Sequence, residues 1–432
     1  MSATVPLSSN VSSQPAKTGR ARWYICGLLF YATTVNYMDR QVVGLLKPVI
    51  ANELHWTESD YSSVVFGFQL AYAIMMPIAG RIIDWLGTRI GYALAVVVWS
   101  AAAMSHALAR STLQFAAARF MLGIGEAGNF PAAIKTVADW FPIKERALAT
   151  GVFNSGSNIG ALIAPMLIPF VASHYGWRAS FFATGIFDVV WLVIWLLTFQ
   201  TPRRSKLVSA GELAYIESDQ SGEPARKISY LRLLRERPAL AIVIGKFITD
   251  PVWWFYLFWL PGFLNSQYHL DLQHIGPPLV IIYFAADFGS IGGGWLSGHL
   301  LKRGWSVTKA RKTALLTCAL CVVPISLVMV SGGNIWLTVL VISLGTAAHQ
   351  GWSANIYTLA SDTFPRSAVA SVIGLGGFGA AIGGMLVAKL IGWWLDFSHN
   401  SYGPIFLVAA FAYLLGFLVI HLLVPRVEQV EI

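Results

Sequence analysis

Residues 139–160, DWFPIKERALATGVFNSGSNIG, align without a gap to residues 362–383, DTFPRSAVASVIGLGGFGAAIG. Both stretches begin with an aspartate and a Phe-Pro pair, and both continue with small residues at the same spacing. The matched small residues are Ala147 with Ala370, Gly151 with Gly374, Gly156 with Gly379, and Gly160 with Gly383. Because chance seldom keeps such a register, the alignment predicts two repeated halves in parallel orientation.

The composition around this repeat is that of a membrane protein. Of the 432 residues, 56% are hydrophobic and only 12% are charged, against about 25% charged residues in soluble domains. This is too little charge to cover a water-facing surface, which excludes a soluble enzyme, a disordered or fibrous chain and a disulfide scaffold. Cys26, Cys318 and Cys321 all lie in apolar runs, so we expect no disulfide and no metal site.

Twelve stretches are long and apolar enough to cross a bilayer as helices, since about 20 such residues span roughly 30 Å of hydrocarbon. The predicted spans are 23–46, 62–83, 91–109, 113–137, 147–172, 178–199, 239–264, 277–300, 311–331, 335–359, 368–392 and 402–424.

Basic residues predict the orientation of these spans, because cytoplasmic loops hold an excess of Lys and Arg. They concentrate in the N-terminal segment, in the long polar stretch after the sixth span and in alternate loops, whereas the intervening loops offer only Lys47, Arg110 and Arg178. Both termini are therefore expected in the cytoplasm. The net charge of +9 then reflects topology and not a nucleic-acid partner.

Polar segments divide the chain into five parts. They are a cytoplasmic tail at 1–22, a six-helix bundle at 23–200, a cytoplasmic linker at 201–238, a second six-helix bundle at 239–424 and a tail at 425–432. The tail at 1–22 lacks the apolar core of a signal peptide. The linker portion from Glu212 to Arg237 either forms an amphipathic helix on the membrane surface or stays a solvated loop.

Motifs for nucleotide binding or catalysis are missing or misplaced. Gly123-x-Gly125-x-x-Gly128 has dinucleotide-type spacing but lies inside an apolar span with no strand before it. The sequence holds no phosphate-binding Gly-x-x-x-x-Gly-Lys-Ser/Thr loop, no His-Glu-x-x-His and no serine nucleophile elbow. We therefore expect neither an enzyme nor a cofactor, and no direct use of ATP.

The loop after the second span, GRIIDWLGTR at residues 80–89, resembles the loop signature of the major facilitator superfamily. Asp84, flanked by Arg81 and Arg89, can form an ion pair at a helix end that holds one conformation. The corresponding stretch of the second half, residues 294–303, keeps glycines and basic residues but lacks the aspartate. We therefore expect a stronger latch in the first half.

Two small-residue motifs, Gly156-x-x-x-Gly160 and Gly379-x-x-x-Gly383, lie at matching places in the fifth and eleventh spans. Small residues permit close helix contact. We interpret the motifs as packing and hinge surfaces between two moving halves. Static packing of helices is the alternative, and the same residues would serve it.

Charged residues inside spans are candidates for function, because burying a charge in lipid costs several kcal/mol. Tyr37 and Arg40 share one face of the first helix, and Asp39 lies about a quarter turn aside. Arg119 and Glu126 are two turns apart on one face of the fourth span. A purely structural pairing, Arg40 with Glu126 or Asp39 with Arg119, is the alternative.

Several motifs resemble the anion:cation symporter family, whose members move organic anions with protons or sodium. They are Asn36-Tyr-Met-Asp-Arg40, the stretch from Gly123 to Pro131, and Trp140-Phe-Pro-Ile-Lys-Glu-Arg146. In the second half, residues 250–261, residues 284–293 and Ala348-His-Gln350 are similar to those of hexuronate transporters, which import glucuronate and galacturonate.

The resemblance implies a role for each matching residue. Asp39 and Glu126 match the carboxylates that take up protons, and Arg119 matches the arginine that interacts with them. Arg40 matches the arginine that receives the substrate carboxylate. The implied substrate contacts beside Arg40 are Tyr37 and Tyr72. This chain departs from the family's pattern at the polar positions of the fifth and tenth spans, where further candidate substrate contacts bear on which sugar acid is carried: Ser157, Asn158, Asn355 and Tyr357.

Other polar residues in the spans leave more than one interpretation open. Lys246 and Asp250 either pair structurally or act near the cavity. His349 and Gln350 are further candidates to face the cavity, although His349 is equally explained as a packing residue. Asp188, Asp287 and Lys389 are candidates for ion pairs between helices. Trp253-Trp254 is expected in an interfacial belt and in packing, with one face lining the site as the alternative.

The sequence thus predicts an all-α membrane protein of the major facilitator fold, with twelve helices in two pseudo-symmetric bundles. The predicted function is proton-coupled import of a sugar acid, a hexuronate above all, by a monomer in the inner membrane. A sodium-coupled or uncoupled carrier of another organic anion is one alternative. A membrane receptor that does not transport is the other.

Overall fold

The computed structural model describes residues 19–56, 58–218, 228–268, 276–330, 333–398 and 401–431. The helices in this part of the chain are α1 Ala21–Leu54, α2 Glu58–Leu86, α3 Thr88–Ser105, α4 Thr112–Glu126, α5 Asn129–Trp140, α6 Ile143–Tyr175, α7 Trp177–Thr198, α8 Ala210–Glu217, α9 Tyr230–Leu233, α10 Arg237–Tyr268, α11 Gly276–Lys302, α12 Val307–Val322, α13 Ile335–Thr363, α14 Arg366–Phe397 and α15 Gly403–Leu423. Short 3-10 segments occupy His106–Leu108, Pro202–Arg204 and Val323–Val330.

Each of the twelve predicted spans coincides with a helix or with two consecutive elements. The fourth span is interrupted between α4 and α5, where Pro131 has no N–H to donate back to the carbonyl of Ala127. The ninth span begins as α12 and continues as a 3-10 segment that contains Pro324. Nine helices in the described residues are long and apolar enough to cross a membrane. Among the elements that match predicted spans, α1, α4, α5 and α13 fall outside that group.

The two small-residue motifs pack inside the halves and not between them. Gly156 and Gly160 on α6 contact backbone carbonyls of α1. Gly379 and Gly383 on α14 contact backbone carbonyls of α10 in the same way. The expectation that these motifs form the surface between moving halves is therefore wrong, and the alternative of static helix packing describes them.

The halves meet along two seams, which we define by their helices. The first seam is the contact between α2 and α14, and the second is the contact between α6 and α11. A methyl group on Gly80 would lie 2.3 Å from the carbonyl oxygen of Ala370, and one on Gly294 would lie 2.2 Å from that of Ala147. Since these residues correspond in the repeat, the two seams have the same backbone geometry.

Ion pairs join the halves at the end of the bundle where α1 begins and α15 ends, which we call the terminal face. Arg146 on α6 contacts Asp362 on α13 at 3.3 Å and donates to the carbonyl oxygen of Ser361 at 2.6 Å. The other carboxyl oxygen of Asp362 accepts from Arg311 at 2.8 Å. Arg311 also donates across the halves to the carbonyl oxygen of Ile143 at 2.8 Å.

The linker docks on the first half. Glu212 on α8 is fully buried and accepts from the backbone N–H groups of Ala21 and Arg22, both at 3.2 Å. Its carboxylate thus satisfies unpaired donors at the start of α1. Tyr230 on α9 donates to the carbonyl of Pro77 on α2. The described linker therefore consists of two short docked helices, unlike the single amphipathic helix or solvated loop expected; residues 219–227 lie outside the described part.

Candidate functional site

A central cavity of about 90 Å³ lies between the two halves. α1, α2, α5 and α6 form one wall, and α10, α13 and α14 form the other. The residues that line it are Tyr37, Arg40, Tyr72, Met76, Phe130, Asn154, Ser157, Lys246, Trp253, Trp254, His349, Gln350, Ser353, Tyr357, Gly377, Ala380 and Ala381. The lining therefore combines two cations with aromatic rings and hydrogen-bonding groups.

Arg40 is the cation of the first wall. Its guanidinium carbon lies 4.6 Å from the ring centre of Tyr37 and 4.7 Å from that of Tyr72. Its Nε donates to Glu126 Oε2 at 2.5 Å. Aromatic faces on two sides and a carboxylate on a third hold the guanidinium in place. The predicted shared face of Tyr37 and Arg40 is confirmed, because both line the cavity.

Glu126 and Arg119 lie behind Arg40, on α4. The Glu126 side chain is fully buried, whereas 22% of the Arg40 side chain is exposed. Arg119 donates to the backbone carbonyl of Arg40 at 2.7 Å and lies 5.5 Å from the Phe68 ring centre. Glu126 therefore reaches the cavity through Arg40, and Arg119 supports the turn of α1 that carries Arg40.

Asp39 points away from the cavity, toward α7. It is 2% exposed, and its carboxyl group lies beside Thr184 and the carboxyl group of Asp188. Asp188 also accepts from the Trp99 indole at 2.8 Å. One residue turns a helix by about 100°, so Asp39 and Arg40 face different neighbours. The structure thus places two buried carboxyl groups behind the first wall.

Lys246 is the cation of the second wall. It lies on α10, and its Nζ donates to Asp250 Oδ2 at 2.6 Å and to the Tyr357 hydroxyl at 3.1 Å. The Lys246 side chain is 1% exposed and that of Asp250 is 16% exposed. Each wall therefore carries one cation already paired with a carboxylate of its own half.

Aromatic rings and amides make further contacts around the cavity. Phe130 stacks on Tyr357 across the halves, with ring centres 5.4 Å apart. Asn154 donates to Gln350 Oε1 at 2.7 Å, also across the halves. His349 stacks on Trp253 with ring centres 5.0 Å apart.

The remaining predicted contacts lie at different places. Ser157 lines the cavity, whereas Asn158 faces the second seam and donates to Asp287 at 2.9 Å. Asn355 lies within the second half and donates to the backbone carbonyls of Gly293 and Gly351, both at 2.9 Å. Asn158 and Asn355 are thus not among the residues that line the cavity.

The latch at Asp84 uses other partners than the sequence suggested. Lys135 on α5 donates to Asp84 Oδ1 at 2.6 Å, because α5 packs against α2. Asp84 Oδ2 accepts from the backbone N–H of Ser371 at 2.7 Å and from its hydroxyl at 2.6 Å. Arg81 instead donates to the carbonyl of Ile228, and Arg89 to that of Leu196. The contacts of Asp84 therefore cross the first seam, but neither flanking arginine takes part in them.

Several lining residues were missed or misassigned from the sequence. Trp253 and Trp254 line the cavity, which is the alternative to the interfacial belt favoured from the sequence. Phe130, Met76 and Ser353 gave no distinguishing signal, since apolar and small residues fill every span. Lys246 did carry a signal, a lysine inside an apolar span, but its facing could not be decided.

Comparisons with known proteins agree with this fold. The sequence profile of the Major Facilitator Superfamily matches residues 29–388. The chain belongs to this superfamily. It is 33% identical over 422 residues to the hexuronate transporter of Escherichia coli K12, a match that covers 95% of this chain and 96% of that protein.

Two further matches support the assignment. The chain is 34% identical over 279 residues to the galacturonate transporter of Dickeya chrysanthemi, covering 64% of this chain and 81% of that protein. Its fold is similar to that of the proton:xylose symporter XylE bound to 6-bromo-6-deoxy-D-glucose, with a TM-score of 0.76 and 14% identity, covering 94% of this chain and 96% of that one. The protein is thus a multi-pass membrane transporter of the superfamily and not an enzyme.

Proposed function

We propose that this transporter imports a hexuronate such as glucuronate or galacturonate together with protons. It does so as a monomer in the inner membrane, with both termini and the terminal face in the cytoplasm. The resemblance to hexuronate and galacturonate transporters supports the substrate class. The excess of Lys and Arg in the segments on the terminal side supports the orientation.

The Arg40–Glu126 ion pair carries the proposal. A guanidinium offers a planar set of donors that suits bidentate capture of a carboxylate. Glu126 occupies Arg40 Nε at 2.5 Å. A proton taken up by Glu126 removes the negative charge that competes for Arg40, which leaves the guanidinium to bind the substrate carboxylate.

This exchange couples the proton to the anion in both directions. If protonation of Glu126 favours the anion at Arg40, then bound anion favours the protonated form of Glu126 by the same free energy. Arg119 takes part by supporting the backbone at Arg40. Asp39, beside Asp188, supplies a second buried carboxyl group for protons on the same wall.

Hydrogen-bonding groups around Arg40 suit the hydroxyl groups of a sugar acid. Tyr37, Tyr72 and Ser157 line the first wall, and His349, Gln350 and Tyr357 line the second. A cavity of about 90 Å³ is smaller than the roughly 300 Å³ at the lower end of small-molecule sites. Substrate binding therefore requires the walls to move apart, as rocking of the halves around a midplane site provides.

Uptake into proteoliposomes with an imposed pH gradient tests the proposal. We expect labelled glucuronate to accumulate faster when the outside is acidic. Glu126→Gln cannot exchange a proton, so concentrative uptake should fall at least about tenfold while exchange of labelled for unlabelled substrate continues. Glu53→Gln is the matched control, because Glu53 is 44% exposed at the end of α1.

Other outcomes identify the alternatives. If accumulation follows a sodium gradient and does not depend on pH, the coupling ion is sodium and not the proton. Competition by a hexonate, an aromatic acid or a dicarboxylate but not by glucuronate changes the substrate class. Saturable binding without flux indicates a receptor. If Arg40→Ala folds and still binds glucuronate with unchanged affinity, the carboxylate site lies elsewhere, and Arg119 is the next residue to test.

A further inference from the structure

The two cations of the cavity differ in how they are paired. Arg40, whose side chain is 22% exposed, pairs with the carboxylate of Glu126 on another helix, α4. Lys246 pairs with Asp250 on its own helix, four residues on, and is 1% exposed. Its Nζ also donates to the hydroxyl of Tyr357 at 3.1 Å, which fixes its position against α13.

Lys246 borders the ligand space, whereas Asp250 does not. Lys246 and Tyr357 both line the cavity, and the Lys246 ammonium lies 4.3 Å from the Tyr357 ring centre. Asp250 is absent from the lining. A ligand can therefore meet the ammonium group, whose charge is already paired with the Asp250 carboxylate at 2.6 Å.

We propose that Lys246 donates a hydrogen bond to a hydroxyl or ring oxygen at the uncharged end of the substrate, and that Asp250 makes this subsite selective against a second carboxylate. This inference rests on the proposed function, since it assumes that Arg40 holds the first carboxylate. A monocarboxylate sugar acid then spans the cavity, with its charged end on the first half and its polyol end on the second.

The selectivity arises because the subsite offers no unpaired positive charge, since Lys246 is paired with Asp250. A second carboxylate at this end would lose its hydration and meet a lysine already neutralised, with the Asp250 carboxylate close behind. A hydroxyl oxygen needs only one donor, which Lys246 supplies without breaking its ion pair. The subsite therefore distinguishes hexuronates, with one carboxylate, from aldarates, with two.

The test compares glucuronate and glucarate as ligands of the full-length protein. Purified protein in detergent is titrated with each ligand, and binding is followed by tryptophan fluorescence. We expect wild type to bind glucuronate at least about tenfold more tightly than glucarate. Asp250→Asn frees the Lys246 charge, so the ratio should shift toward glucarate by about tenfold or more.

Two further variants separate the charge from the fold. Lys246→Met with Asp250→Asn leaves no unpaired charge, and we expect it to lose glucuronate affinity without gaining glucarate affinity. Lys389→Met removes a lysine that is exposed on α14, and should leave both affinities unchanged. Size-exclusion profiles and melting temperatures report whether each variant is folded.

The outcomes distinguish this inference from the proposed function. If wild type neither binds nor accumulates glucuronate, the proposed function fails. If wild type transports glucuronate but binds glucarate equally well, the selectivity of the subsite is refuted. A folded Asp250→Asn variant with the wild-type ratio, or a folded double variant with wild-type glucuronate affinity, also overturns it. If Asp250→Asn does not fold, the wild-type ratio and the double variant still decide.

Discussion

The two seams have the same backbone geometry but hold the halves together with different side chains at different depths. In the first seam, Asp84 of the first half accepts two hydrogen bonds from Ser371 of the second, near the terminal face. At the corresponding place in the second seam stands Gly298, where a methyl group would lie 2.7 Å from the carbonyl oxygen of Lys144. No side chain fits there, which explains why the second half lacks the aspartate.

The second seam has an acidic link of its own, farther from the terminal face. Asp287 on α11 accepts from Asn158 on α6 at 2.9 Å. Asp287 is eleven residues before Gly298, or about 16 Å along the helix. The corresponding positions of the first seam, Ala73 and Ala381, are alanines. The comparison teaches that each half contributes one carboxylate to a seam, so acidic contacts across the seams are not confined to the first half.

Cysteines at matched positions can follow the two seams separately. Met76 in the first seam and Ser290 in the second correspond in the repeat and are both buried. In a variant whose three native cysteines are replaced by alanine, Met76→Cys reports opening of the first seam and Ser290→Cys that of the second. The readout is the rate of alkylation by a membrane-impermeant maleimide applied to the terminal face.

The largest effect is expected from Asp84→Ala. Hydrogen bonds to a charged group contribute about 1.5–3 kcal/mol, so losing this acceptor should speed alkylation at Met76→Cys by about 10- to 100-fold. Uptake should fall because the closed first seam is less populated. A smaller acceleration is expected at Ser290→Cys. Equal acceleration at both reporters would show that the seams open together, which would contradict the view that different side chains hold each seam closed.

Gly298→Ala should open the second seam more than the first, the reverse of Asp84→Ala. The added methyl meets backbone, which cannot swing aside, and overpacking of this kind costs about 1–3 kcal/mol. We expect roughly tenfold faster alkylation at Ser290→Cys and less change at Met76→Cys. Gly292→Ala on the same helix is the control, since an added methyl there meets nothing within 4 Å. Indistinguishable rates in the two variants would contradict a close approach at Gly298.

Asn158→Ala removes one neutral donor from Asp287 and should open the second seam by a smaller amount. We expect a several-fold increase in alkylation at Ser290→Cys and none at Met76→Cys, because the first seam has no such link at this depth. Ser155→Ala is the control on α6, since the Ser155 hydroxyl donates to its own helix at 2.8 Å. An unchanged rate at Ser290→Cys would mean that the Asn158–Asp287 contact does not hold the seam closed.

The smallest effect on either reporter is expected from Gly160→Ala and Gly383→Ala. These residues pack inside the halves, so the substitutions should lower the melting temperature by several degrees without favouring one seam. Thermal unfolding and both alkylation rates are measured on the same preparations. Faster alkylation without loss of thermal stability would indicate that these glycines lie on a surface that moves between the halves.

The sequence predicted the parts of this molecule that depend on one helix or one alignment. Hydropathy located the spans, and the repeat matched Ala147 with Ala370. That Gly80 lies against Ala370 and Gly294 against Ala147 is seen only in the structure. Periodicity correctly put Tyr37 and Arg40 on one face. It could not say which neighbour each face would meet.

That gap accounts for the residues whose neighbours the sequence left open or predicted differently. Asp39 faces α7, Asn158 faces α11 and Lys246 faces the cavity, each according to how its helix is rotated in the bundle. Lys135 became the partner of Asp84 because α5 packs on α2, which no local pattern encodes. The same limit applied to the glycines of the two small-residue motifs, such as Gly156. Their spacing indicates close packing but does not say which helix they pack against.

The docked linker sets where the chain must bend when the halves rock. Glu212 accepts a hydrogen bond from the start of α1, and Tyr230 donates one to the carbonyl of Pro77. The docked helices α8 and α9 therefore move together with the first half. The mechanical joint between the halves is then the short stretch from Leu234 to Glu236, directly ahead of α10. A joint this short acts as a pivot with little slack, and it limits how far the second half can swing before it pulls on α10.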